Sequence, residues 1–174
     1  MIIHIIGIMF VMGTSIGIGF YFVQKDRDRL HLINELKKML LVWKGCVRNG
    51  NEDIPEVFRK ISSKLDYRIG TLLENVVNKM SKMDGDNIRQ VWQNNTERIF
   101  EKTSLKKEDM ELIIGIVDIV GLIDKQLQIE NLENYIYELD YKIKKIKEHM
   151  IEKNRIYRLL SIVVGLFIVM IFSS

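Results

Sequence analysis

Two apolar runs frame a chain whose middle is periodic. Ile2 to Val23 is interrupted only by His4, Thr14, Ser15 and glycines, and Leu159 to Phe172 repeats the pattern over a shorter stretch. Between them, Leu30, Ile33, Leu36, Leu40, Trp43 and Val47 recur every three or four residues, which predicts a helix continuing from the first run with one buried stripe. Asn49-Gly50-Asn51 breaks it. Asp53-Ile54-Pro55-Glu56 starts a second helix, with proline in the first turn and an acid beside the positive helix end; Val57, Phe58, Ile61 and Leu65 point inward. A third segment carries Leu72, Leu73, Val76, Val77 and Met80 and ends near Asp84-Gly85. Asp86 is placed to cap a fourth helix through Val91, Trp92, Ile99 and Phe100, and Ser104 to cap a fifth. Within the fifth, Leu112 to Ile123 is apolar nearly all round apart from Asp118 and two glycines, which predicts a bundle-core helix.

The last segment is the most regular. Ile129, Leu132, Ile136, Leu139, Ile143, Ile146 and Met150 alternate at three and four residues, and the register reaches Tyr157 and Leu160. One helix from about Gln126 to Phe172 is expected, on the order of 70 Å long. Its stripe suits either the first long helix or a second chain. No stretch alternates with period two for long enough to predict a sheet, so the fold class is all-α with about six helices.

The first apolar run, about 22 residues, is long enough to cross a hydrocarbon core of about 30 Å. The second, about 14 residues, sits near the lower limit, and Tyr157 at the interface with a snorkelling Arg158 lengthens it. Residues 2–23 and 159–172 are therefore expected to be transmembrane helices flanking a helical domain over 25–158. Lys25, Arg27 and Arg29 follow the first run, the reverse of a secretory signal, and Lys153, Arg155 and Arg158 precede the second. The positive-inside rule then puts the middle in the cytoplasm and both termini outside. Gly13 and Gly17, four apart, with Gly165 on the other run, are the candidates for close packing of the two spans.

Composition sharpens this partition. Mean hydropathy is +0.01, yet all 49 charged residues lie between Lys25 and Arg158, where they make up about 37% of the segment. Net charge is +3, too small to argue for nucleic acid. The lone Cys46 excludes an internal disulfide. His4, His31 and His149 are isolated, and no metal-binding, nucleophile or phosphate-cradling spacing occurs; no catalytic residue, cofactor or metal is expected. Asp118 in mid-run is expected to accept a hydrogen bond or pair with a Lys or Arg in preference to binding a cation or a basic partner group, and for Asp124, at the exposed end of the core helix beside Lys125, the two roles are equally open.

The order of Gly13-Thr14-Ser15-Ile16-Gly17 with its basic exit, Ile54-Pro55-Glu56-Val57-Phe58, Val91-Trp92, Leu105, Gly121-Leu122-Ile123-Asp124 with Gln128, and the closing Lys153 to Gly165 segment resembles the stage III sporulation protein AB family over essentially the whole chain. That resemblance implies a cytoplasmic bundle like the helical domain of type II secretion F proteins. It also implies a place in the channel complex joining mother cell and forespore, in the mother-cell membrane around the forespore. A cytoplasmic ATPase, stage III sporulation protein AA, and other channel-complex membrane subunits are the implied partners. Candidate contact positions are Pro55, Glu56, Gly121, Asp124 and Gln128. A self-associating two-span scaffold, a homo-oligomer using the 129–150 heptads, is the alternative; a membrane-bound hydrolase with an unfamiliar motif is a second.

Overall fold

The computed structural model describes residues 2–50, 53–81, 88–122 and 124–173, with the side chains of 2–16, 18–20, 157, 158, 160–162, 164–169 and 171–173 outside that description. Six α-helices follow in order: α1 (Ile2–Asn49), α2 (Ile54–Ser62), α3 (Tyr67–Ser81), α4 (Ile88–Phe100), α5 (Lys107–Gly115) and α6 (Lys125–Ser173). A short 3-10 helix, Ile116–Ile119, continues α5, and no strand occurs among the described residues.

The helix starts have local causes. Asp53 takes an extended conformation at the entry to α2, with Pro55 in the first turn, where its missing N–H costs nothing. Asp66 caps α3, its Oδ1 accepting the Arg68 backbone N–H at 2.9 Å. The fifth helix begins at Lys107 with Lys106 before it, so the cap expected from Ser104 is displaced. Asp109 instead reaches back to accept the Lys106 N–H at 2.9 Å. Asp86, proposed above as the cap of α4, lies outside the described residues.

The chain divides into two compact units, residues 28–143 and residues 1–27 with 144–174. In the first, α2 packs on α3, α3 on α4, and α4 on α5 and the 3-10 helix. The parts of α1 and α6 in this unit run antiparallel, as Lys37–Asp140 at 2.6 Å and Lys44–Glu133 at 3.3 Å require. The stripe read from the sequence is the core: Ile33, Leu36, Leu40 and Trp43 of α1 and Leu132 and Leu139 of α6 are fully buried. Trp43 meets Phe58 edge-on at 5.2 Å, and Phe58 meets Trp92 at 6.3 Å, tying α1, α2 and α4 together. Trp92 donates its indole N–H to the Ile113 carbonyl at 2.8 Å, which anchors α4 on α5. At the α2–α3 corner, a Cβ on Gly70 would stand 2.6 Å from the Ser62 carbonyl oxygen, so the close approach requires glycine.

One expectation changes, one open alternative is resolved, and one expectation is not shown. The 112–123 segment does not continue as one core helix: it tightens to 3-10 geometry after Gly115, burying Ile116, Val117 and Ile119 while turning Asp118 out. Asp118 is 55% exposed and pairs with Arg89, so it is a surface ion pair and not a buried acid. The α6 heptad stripe is spent inside the monomer, since Leu132, Ile136, Leu139, Ile143 and Ile146 are all buried there, which removes the surface that a coiled coil between chains would use. The flanking membrane spans are not shown: among the described residues no helix is long and apolar enough to cross a membrane. Gly17 has open space around it, while Gly13 and Gly165 lie outside the described side chains.

Two substitutions test this core with opposite signs. Trp92→Ala removes a fully buried ring and its hydrogen bond and should lower stability by about 3–5 kcal/mol. Thr96 is fully buried and its hydroxyl has no hydrogen-bond partner, so Thr96→Val should raise stability, by about 1 kcal/mol. Denaturant unfolding of the detergent-held full chain, followed by circular dichroism, measures both; a destabilised Thr96→Val would refute the second.

Candidate functional site

Gly50 ends α1 by turning left-handed at φ 77°, its N–H bonding the Cys46 carbonyl at 3.0 Å. The Gly50 carbonyl in turn accepts from the Lys125 ammonium at 3.4 Å, which fastens the end of α1 to the start of α6. The Asp53 turn brings in the start of α2. These three termini enclose a pocket of about 270 Å³. Trp43, Cys46 and Val47 line it from α1, Ile54 and Val57 from α2, and Lys125 and Gln128 from α6.

The structure thus brings two of the sequence-predicted segments to one place. Pro55 and Glu56 follow Ile54 directly, and Asp124 precedes Lys125, so both helix starts border the pocket. Glu56 and Asp124 are exposed and Pro55 is half-buried. Asp124 also has a structural duty: its Oδ1 accepts the Leu127 N–H at 2.8 Å, capping α6. Gly121 is exposed with no atom within 4 Å of where a Cβ would stand. Gln128 is buried, and its side-chain amide donates to the Ile119 carbonyl at 3.0 Å. It therefore acts as a strut between the 3-10 helix and α6, open to a partner only through the pocket it lines. Among the described residues no group of three or more His, Cys, Asp or Glu could hold a metal ion.

Sequence reading missed the one fully buried acid among the described residues. Asp109 of α5 has no exposure and receives Arg29 Nε at 2.6 Å and Nη2 at 3.0 Å from α1, with the Lys142 ammonium of α6 at 3.2 Å. Burial opposes its ionisation, but the Arg29 hydrogen bonds, the Lys106 N–H and the Lys142 ammonium outweigh that and hold its pKa below the ordinary carboxylate value. The only signals in the sequence were a basic residue at Arg29 where the α1 stripe begins and an acid three residues after Lys106. A second cluster fixes the α2–α3 corner to α1. Arg68 binds Asp66 at 2.9 Å and Asp28 at 3.0 Å, while Glu35 accepts the Asp66 N–H at 2.9 Å. The Arg68 hydrogen bond lowers Asp66 to about 2, despite partial burial, and the same bond raises Arg68. Tyr135 is raised by burial and by the nearby charges of Asp118 and Glu138.

The model of the family described as stage III sporulation protein AB matches residues 4–173. Stage III sporulation protein AB of Bacillus subtilis (strain 168) is 17% identical over 169 residues, covering 97% of this chain and 98% of that protein. A solved structure of stage III sporulation protein AB (SpoIIIAB) shares the fold, with a TM-score of 0.64 at 17% identity over 71% of this chain and 97% of that chain.

Removing the Asp109 carboxylate leaves Arg29 and Lys142 facing each other with no counter-ion. Asp109→Ala should cost about 3–5 kcal/mol at neutral pH, read from unfolding curves. The pH dependence has a definite sign. A depressed folded pKa means that the unfolded chain binds the proton first, so the contribution is full above the ordinary carboxylate value and is lost as pH falls through the folded value. Asp66 behaves likewise between 3.8 and about 2. Unfolding titrations should therefore show steeper acid destabilisation in the unmodified chain than in Asp109→Asn, and parallel curves would refute the assignment.

Proposed function

The chain belongs to the stage III sporulation protein AB family, and on that premise we propose that it works as a non-enzymatic membrane platform in the channel complex between mother cell and forespore. Residues 2–23 and 159–172 are its two spans, the bundle is cytoplasmic, both termini lie outside, and the bundle receives a cytoplasmic ATPase of the stage III sporulation protein AA kind. Other membrane subunits of the complex contact the spans, with Gly13, Gly17 and Gly165 as close-packing positions.

The observation that carries this reading is the pocketed end of the bundle. The starts of α2 and α6 are accessible around a pocket, with Glu56 and Asp124 exposed beside it. Acidic side chains at two helix starts suit basic side chains of a partner and set the orientation of docking more than its bulk affinity. Supporting the membrane part are the two apolar runs, the basic residues on their inner sides, and the exposure of Leu159, Val163 and Met170.

Purification of the full-length chain from membranes should bring down the cognate ATPase. Glu56→Lys with Asp124→Asn, which removes the charge but keeps the α6 cap, should weaken that association by about tenfold or more, while leaving the helical content unchanged. An ATPase that fails to copurify, or binding indifferent to both substitutions, would count against docking at this end.

A further inference from the structure

Charge is divided unevenly between the two units. Residues 1–27 and 144–174 carry eight Lys and Arg against three Asp and Glu, net +5, whereas residues 28–143 carry net −2. One of the three acids is already neutralised within the unit: Asp26 accepts from Lys153 at 2.6 Å. Lys25, Arg27, Lys144, Lys147 and Arg155 are exposed.

A basic run by itself is usually a solvated face. Here the basic residues share their unit with large apolar side chains that stay substantially exposed: Phe22 is 46% exposed and Ile156 61%, with Tyr21, Ile151 and Leu159 also exposed. Cations lie directly on these aromatics, Lys25 over the Tyr21 ring at 4.8 Å and Lys153 over the Phe22 ring at 5.6 Å. Water solvates the charges of such a surface but not its rings and branched chains. A bilayer boundary satisfies both, with acyl chains against the apolar atoms and phosphates against the ammonium and guanidinium groups.

We propose that Lys25, Arg27 and Arg155, each within about two helical turns of a span end, form a headgroup site that gathers anionic phospholipid around this unit. The proposal rests on the membrane reading above and deepens it by naming the lipid class. The acidic balance of residues 28–143 is consistent with selection of lipid by the basic unit alone.

The test uses the full-length chain reconstituted into phosphatidylcholine vesicles containing a minor fraction of phosphatidylglycerol. Spin-labelled analogues of the two lipids report which one occupies the shell around the protein. The expected preference for phosphatidylglycerol is about fivefold, the worth of one basic residue near a charged surface. It should fall towards parity in about 1 M salt, where the screening length is about 3 Å, and in the Lys25→Gln, Arg27→Gln, Arg155→Gln chain. The matching Lys25→Arg chain should keep it. Equal occupancy by both lipids, or a preference that survives charge removal, would overturn the headgroup site while the chain still resists alkaline extraction. Release of the chain by alkaline extraction would overturn the two spans themselves, and the headgroup site with them.

Discussion

A carboxylate with no solvent exposure stands between an arginine and a lysine from two other helices. Removing Asp109, Arg29 and Lys142 from water is costly, and only the full set of hydrogen bonds offsets it: two from Arg29, one from Lys142, one from the Lys106 backbone. Each of the three elements is thereby constrained. Helix α5 has only nine residues, and Asp109 both caps it and ties it to α1 and α6. The 3-10 helix, which inherits its direction from α5, then places Ile119 where Gln128 can reach it. The buried amide of Gln128 positions the start of α6 and, with it, one wall of the pocket at the bundle end.

Apolar packing supplies the bulk and polar contacts the register. The α1 and α6 stripes would pack against each other at several offsets one turn apart, because a stripe of Leu and Ile repeats itself. Lys37–Asp140, Lys44–Glu133 and Lys125 on the Gly50 carbonyl all agree on one offset. These exposed pairs each contribute little energy, so their value lies in excluding the alternatives. The α2–α3 corner follows the same logic, with Asp66, Arg68 and Glu35 fixing a turn that Gly70 allows to close.

In the proposed platform, the pocketed end and the basic unit would answer different needs. One offers accessible helix starts and a cavity on the acidic-leaning unit; the other offers cations set on aromatic rings beside apolar side chains. The two kinds of surface lie in separate compact units.

Periodicity made the six helices legible, because burying one face of a helix leaves a repeat of three and four in any sequence. The stripe residues, the Pro55 start, the Gly50 break and the long last helix all follow from that local physics, as do the two candidate segments around Glu56 and Asp124. What the sequence by itself determined was therefore the elements and their buried faces. It foresaw a basic partner for Asp118 but not its exposure, because an acid in an apolar run looks buried until the 3-10 turn rotates it out, and it passed over Asp109, which sits among charged neighbours and reads as surface. It left open whether the α6 heptads met their own chain or another. Only the tertiary structure decided these points, because burial of a charge and choice of a partner depend on which groups arrive from distant helices, and no local spacing encodes the meeting of residues 29, 109 and 142.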